Sequence, residues 1–375
     1  MQKRIQALDV LRGITIAGML LVNNPGSWEH IYTPLEHAEW NGLTPTDLVF
    51  PFFMFIMGLS CYISLKKYDF KYNHATWLKI IRRTIVIFLV GVFTGWFSRF
   101  FGYWFRPHED MSFLAQLWES VWNFENMRIL GVLQRLALCY GILGTLAITV
   151  KHKYFPHIII GLLVIYAVIL LTGDGYVYDG AVNILGRVDA AILKPEHMYK
   201  DNGLDPEGIL STIPSVAHVM IGFLAGKMVL ENKENLKELM LKLFILGTIL
   251  TFCGFLLQYG LPINKKVWSP SFVMVTCGLA SSALSLMIWL IDIKGWKKWS
   301  LYFNSFGVNP LFMYVAGTLA SIIISRIGLQ GWLVYDVLMP ALGELNGSLA
   351  FALIFNVFVW CIGYPLYKNK IYIKI

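Results

Sequence analysis

The sequence predicts an all-α, polytopic membrane protein of about ten transmembrane helices with both termini cytoplasmic, and three observations carry that expectation. Of its 375 residues, 57% are hydrophobic and only 14% charged, against roughly a quarter charged in soluble domains. Apolar runs long enough to cross a hydrocarbon core recur along the whole chain. Most of the 31 Lys and Arg fall between runs that share the N-terminal side, and cytoplasmic loops are the ones enriched in such residues. The net charge of +8 is therefore read as a topology signal, with no nucleic-acid partner expected.

Taken in order, the spans are expected near 8–24, 45–65, 83–102, 128–150, 156–172, 208–230, 239–258, 270–291, 301–325 and 347–367. The first opens after Lys3 and Arg4 and runs into Asn23 and Asn24 with no small-residue cleavage pattern, so it reads as a retained helix and not a signal peptide. Asp9 and Arg12, three apart, can pair near its cytoplasmic end. The second span starts at "TPTD": Thr44 can cap it, Pro45 suits the first position, and Asp47 can close a capping box. Pro51 should kink it. The basic run "LKKYDFKYNHATWLKIIRR" at 65–83 suits a cytoplasmic loop, or a docking patch for a nucleotide's phosphates. Lys374 closes the cytoplasmic set. In "LDPEGILSTIPS" at 204–215, Asp205 is expected as an N-cap, with Pro206 at the first helical position and Glu207 in the first turn. His218 is expected to be a satisfied core histidine. Asn304, Asn309 and Pro310 interrupt the ninth span, where they either hold a kink or line a cavity.

No repeat, linker or soluble domain is visible, so one membrane domain is expected over residues 1–375. The five cysteines all lie in expected spans without ligand spacing, which argues against disulfides and metal. The long connections 25–44, 103–127, 173–207 and 326–346 should lie on the outer side, where a substrate would be held. Isoleucine- and phenylalanine-rich spans suit lipid or a second copy, and a homodimer is among the assemblies they allow.

The densest chemistry precedes the second span, in "LEHAEWNGLTPTDLVFPFF" at 35–53. His37 stands there with acids, a tryptophan and an asparagine, at the expected outer mouth of the first two helices. Trp28, Tyr32 and Trp40 favour the membrane interface and should hold this connection close. Histidine accepts a proton near neutral pH, and Asn23 can donate to a developing oxyanion. That pair suits acyl transfer. Trp40 and Asn41 are expected to shape the pocket, whereas Asp47 and Glu207 read first as helix starts and second as acceptor contacts. Gln134 and Arg135 put a cation inside a span, which calls for a partner or a function.

Six segments together resemble the heparan-alpha-glucosaminide N-acetyltransferase family: "RIQALDVLRGITIAGMLLVN", "HAEWNGLTPTDLVFPFFMFIMG", "RILGVLQRLALCYG", "DPEGILSTIPS", "PINKKVWSPSF" and "NSFGVNPLFMYV". They occur in family order and sample nearly the whole chain. The resemblance implies an acetyl-CoA donor used from the cytoplasm and an amino-sugar acceptor, glucosamine-like, on the far side. It places the catalytic histidine on His37 and the asparagine beside it on Asn23. Arg12, Gln134, Arg135 and Asn309 are expected to serve the donor, and Trp40, Asn41, Asp47 and Glu207 the acceptor. A longer stretch between Asn23 and His37, and no large lumenal domain ahead of the first span, point to a bacterial homologue in the cytoplasmic membrane. A sugar transporter and an O-acyltransferase of envelope glycans are the competing functional classes.

Overall fold

The computed structural model describes residues 5–106 and 111–373; Lys3, Arg4 and Lys374 lie outside them. The chain is 73% helix, with no strand among the described residues. The helices are α1 (Gln6–Val22), α2 (Pro45–Lys66), α3 (His74–Trp104), α4 (Phe113–Val121), α5 (Val132–Thr149) and α6 (Phe155–Thr172). They continue with α7 (Ile184–Leu193), α8 (Thr212–Glu231), α9 (Leu236–Leu257), α10 (Pro270–Met287), α11 (Ser300–Val308), α12 (Pro310–Arg326) and a C-terminal helix, Glu344–Lys368.

Eight helical segments among the described residues are long and apolar enough to cross a membrane, and α11 with α12 forms a further passage if counted together. At 17 residues, α1 sits at the short end of the range of roughly 17–25 that a span requires. Burial sorts the helices into layers. The apolar stretches of α2, α5, α8 and α10 are 61–72% buried, while those of α3, α6 and α9 are 17–22% buried. A long helix that leaves its apolar side chains uncovered needs lipid or a second copy against it, so α3, α6 and α9 form the outer wall of the bundle.

Close approach of backbones holds the inner layer. A Cβ on Gly13 would lie 1.7 Å from the Phe303 carbonyl oxygen, and one on Gly58 would lie 2.0 Å from that of Val219. Membrane helices lack a hydrophobic drive toward one another and gain from dispersion at such small-residue crossings. Gly13→Ala should therefore destabilise the α1–α11 crossing by about 1–3 kcal/mol, read as a lower melting temperature of the detergent-solubilised protein. An unchanged melting temperature would show that this crossing has slack.

The same contacts fix direction. α2 and α8 run parallel, since Phe55 meets Gly222 and Leu59 meets Gly226. α1 runs against α2, because Arg12 reaches Ser60 while Gly18 meets Val49. Hence α2, α8 and α10 begin at one end of the bundle, close to Phe50, His218 and Trp268, which pack together. That end also carries the His37 connection.

Several expected elements change. The run 301–325 is not a straight span: α11 and α12 meet at an angle of 92°, because Pro310 starts a new helix at Asn309 and cannot donate backward. α3 begins at His74, capped by Asn73, so Lys79, Arg82 and Arg83 belong to a helix and not to a loop. Asp205 is not an N-cap. α8 starts later, at Thr212, and Asp205 instead accepts from the Glu207 N–H at 2.9 Å in a tight turn. The long connections 103–127 and 173–207 carry α4 and α7, and 326–346 carries helical turns from Leu329 to Leu342. Their short amphipathic pieces are not legible in a pattern scaled to whole spans.

Candidate active site

The α2 start supplies the first half of the site. Thr44 and Asp47 form the capping box, and Pro45 occupies the first turn, where its missing N–H costs nothing. The Asp47 carboxylate does more than cap. Its Oδ2 accepts from the Ala38 N–H at 3.1 Å, the Thr44 N–H at 3.1 Å and the Thr44 hydroxyl at 3.0 Å. That saturates one oxygen and leaves Oδ1 aimed at the His37 ring, 2.7 Å from Nδ1. An ionised carboxylate only accepts, so Nδ1 is the donor and Nε2 carries the free lone pair. Asp47 is 1% exposed and the His37 side chain 45%: a buried acid orients a histidine open to the surroundings. Asp47 is thus both the helix start and the partner of His37.

A third group comes from the connection before α10, which sequence reasoning assigned no role. Lys265 Nζ lies 3.3 Å from Asp47 Oδ1, 3.0 Å from His37 Nδ1 and 3.4 Å from Nε2. Burial disfavours the Lys265 ammonium, and Asp47 only partly restores it, so its pKa falls below the ordinary lysine range. The segment is rigidly held. Asn264 accepts from the Val267 N–H at 3.1 Å and donates to Asn41 Oδ1 at 3.1 Å, which ties the α10 approach to the His37 connection. The only advance signal was "NKK" within a segment that resembles the family.

The other expected site residues fall into separate groups. Asn23 is the exposed C-cap of α1, its N–H donating to Met19 O at 3.1 Å; the His37 ring contacts are Asp47 and Lys265, not Asn23. The Trp40 indole donates to Tyr176 O at 2.8 Å and stacks on Tyr178 at 4.6 Å. Glu207 joins Asp205 in gripping Arg128, an ion cluster that locks the approach to α5 onto the approach to α8. The two acids raise the Arg128 guanidinium pKa despite the opposing effect of burial.

Arg135 is fully buried. Its Nη2 donates to Ser211 Oγ, and to Gly208 O at 3.1 Å, and the guanidinium lies over the Trp268 ring. Nε and Nη1 have no partner among the described residues, so this cation retains unused donors inside the bundle. Gln134 is buried beside Gly91. His218 is only half satisfied: Nε2 meets Pro51 O at 2.9 Å, while Nδ1 has no partner among the described residues.

Arg12 and Asn309 lie elsewhere. Arg12 donates to Asp9 at 3.1 Å, Gly307 O at 3.2 Å and Ser60 Oγ at 2.8 Å, which includes the expected pair with Asp9. It borders a cavity of about 470 Å³ whose other polar side chains include Ser60, Ser64, Lys67 and Lys233. This cavity lies where α1 begins and α2 and α8 end, at the opposite end of the bundle from His37. Asn309 is engaged by the C-terminal backbone, donating to Ile371 O at 2.8 Å and accepting from Ile373 N at 2.9 Å, and so anchors the tail. The described residues contain no group of three or more His, Cys, Asp or Glu that could hold a metal.

Asp189 of α7, packed against Gly208 and Ile209 before α8, is fully buried. Its Oδ1 accepts from the Ile209 N–H at 2.8 Å, and Oδ2 is without a partner among the described residues. Burial pushes the carboxyl up to about 6. The folded chain then holds this proton more tightly than the unfolded chain, whose aspartate titrates near 3.9. The stabilisation is full below about pH 4 and is lost as pH rises through about 6, on the order of 3 kcal/mol in all. Asp189→Asn should remove that pH-dependent part of the melting temperature; parallel curves for the two proteins would contradict it.

The fold and the site define a polytopic helical membrane protein with an acid-oriented histidine at one end of its bundle. The sequence profile described as "Heparan-alpha-glucosaminide N-acetyltransferase, catalytic" matches residues 4–259. The chain belongs to this family of transmembrane N-acetyltransferases. It is similar to heparan-alpha-glucosaminide N-acetyltransferase of Homo sapiens, 26% identical over 370 residues, covering 83% of this chain and 52% of the human protein. The Mus musculus protein of that name is 26% identical over 429 residues, covering 99% of this chain and 60% of its own length. The chain thus spans just over half the length of these relatives.

Proposed function

We propose that this protein transfers an acetyl group from acetyl-CoA, taken up on the cytoplasmic side, to the amine of a glucosamine-like sugar on the outer side. The observation that carries the proposal is the 2.7 Å contact between a buried Asp47 and a half-exposed His37. That pair leaves Nε2 free to take the proton of an attacking amine. Asp47 fixes the ring and balances the positive charge it gains. Asn23, at the same end of the bundle, is the proposed donor to the thioester oxygen, with Trp40, Asn41 and Glu207 on the acceptor side.

The cavity of Arg12, Lys67 and Lys233 supports the donor side. Three cations outnumber the one carboxylate on its wall, Asp9, and stand beside two serines, which suits the phosphates of coenzyme A. From Asp47 to Lys67 the chain rises 20 helical residues, or about 30 Å, comparable to a hydrocarbon core. An extended pantetheine arm would lie in this interval, where Gln134 and the unused donors of Arg135 can meet its amides. The acetyl group then crosses inside the protein, and the charged nucleotide does not. A water-poor cleft protects the thioester from hydrolysis.

The deciding experiment reconstitutes the purified protein with acetyl-CoA and glucosamine and follows N-acetylglucosamine. Absence of product, together with thermal stabilisation by free glucosamine but not by CoA, would favour the transporter class. Formation of an O-acetyl ester on a glycan would move the acceptor. Lys67→Gln and Lys233→Gln should each weaken CoA binding about ten-fold, or ~1.4 kcal/mol, with the effect shrinking at high salt. Unchanged affinity in both would place the nucleotide elsewhere.

A further inference from the structure

Any acceptor amine must come within hydrogen-bond reach of His37 before it can attack, and in this structure an amine already stands there. Lys265 Nζ is 3.4 Å from Nε2, the ring nitrogen that carries the lone pair, and 3.0 Å from Nδ1, which donates to Asp47. It is held there by Asp47 Oδ1 at 3.3 Å and by a connection that Asn264 locks to Asn41 and to the Val267 backbone. Its neighbour is differently placed. Lys266 Nζ meets Tyr178 Oη at 2.7 Å and Asp201 Oδ2 at 2.9 Å, away from the histidine.

We propose that Lys265 is an internal acetyl acceptor, so that the acetyl-CoA-loaded protein, lacking external amine, modifies itself to Nε-acetyl-Lys265. The inference rests on the acetyltransferase reading above. The Lys265 ammonium first releases a proton to solvent, a loss its burial favours. The Nζ lone pair then attacks the thioester carbonyl, forming a C–N bond as the C–S bond breaks. His37 Nε2 takes the proton that the nitrogen sheds and returns it to the departing thiolate, giving free CoA thiol. No redox change occurs. The product amide carries no charge, so Asp47 Oδ1 loses the ammonium that stands beside it, and an acetamide fills the place where an acceptor amine must sit. Self-acetylation therefore acts as a brake that sets in when acceptor runs out.

The test incubates the intact protein with isotopically labelled acetyl-CoA, without and with glucosamine, and maps label by peptide mass spectrometry while N-acetylglucosamine is measured in parallel. Chemical acetylation by a free thioester follows exposure, so Lys66, 55% exposed, would then be labelled ahead of Lys265, 18% exposed. The expected result is the reverse order, with loss of the Lys265 label in His37→Ala and in Lys265→Arg. Wild-type label order needs no variant, so a poorly folded His37→Ala leaves the test intact. Acetyl transfer to glucosamine with Lys265 unlabelled, or labelled only in step with exposed lysines, overturns this inference and leaves the acetyltransferase reading standing. No transfer, no label and no consumption of acetyl-CoA overturns that reading, and the inference with it.

Discussion

Replacing His37 with alanine is expected to lower kcat for acetyl transfer by roughly 10²–10⁴-fold, the usual contribution of a positioned general base. Acetyl-CoA binding should be little changed, because the cavity of Arg12, Lys67 and Lys233 lies at the other end of the bundle. The measurement pairs initial rates with a CoA thermal shift. Substantial transfer by a folded His37→Ala protein would remove His37 from the chemistry. The same site admits a covalent variant in which His37 itself carries the acetyl group. Parallel initial-rate lines with both substrates varied would indicate the covalent route, and intersecting lines direct transfer.

Asp47→Asn carries the second large effect. The amide keeps the side chain's shape but loses the charge that fixes the ring and balances the imidazolium. In a serine-protease triad the equivalent change costs about 10⁴ in kcat, and a loss of two or more orders of magnitude is expected here. The stability effect separates two roles. Asn is nearly as good an N-cap as Asp, so the capping contribution should largely survive. Asp47→Ala removes the cap as well, at about 1 kcal/mol, and leaves the mostly buried Lys265 without its acid. A small melting shift in Asp47→Asn with a large loss of kcat is the expected pattern. Equal losses of stability and activity in both variants would make Asp47 purely structural.

How much of this was legible in the sequence depends on range. The all-helical membrane class was, because 57% hydrophobic content and a membrane-scaled period leave few alternatives; against ten expected spans, eight helices and one bent pair among the described residues have the length and apolarity to cross. The α2 start was too, since Thr44, Pro45 and Asp47 act within one turn. Local reading failed where the partner is distant. Asp205 looks like an N-cap from its neighbours, yet Arg128, 77 positions away, takes its carboxylate. Asn309 looks like a kink or a cavity wall, yet it holds the tail at Ile371 and Ile373. The ninth span reads as continuous apolar chain, and hydropathy is blind to the 92° turn that Pro310 imposes.

The sequence by itself determined a polytopic helical membrane protein, its family, and the histidine most worth testing. These follow from composition, from contiguous motifs and from patterns that need no contact between distant residues. Only the tertiary structure decided that Asp47 serves His37 as well as its own helix. It alone brought in Lys265, 228 positions from His37, and placed a basic cavity at the opposite end from the histidine. The physical reason is the same in each case. A helix fixes which residues share a turn, but which side chains meet across helices is set by packing at crossings such as Gly13 against Phe303 and Gly58 against Val219.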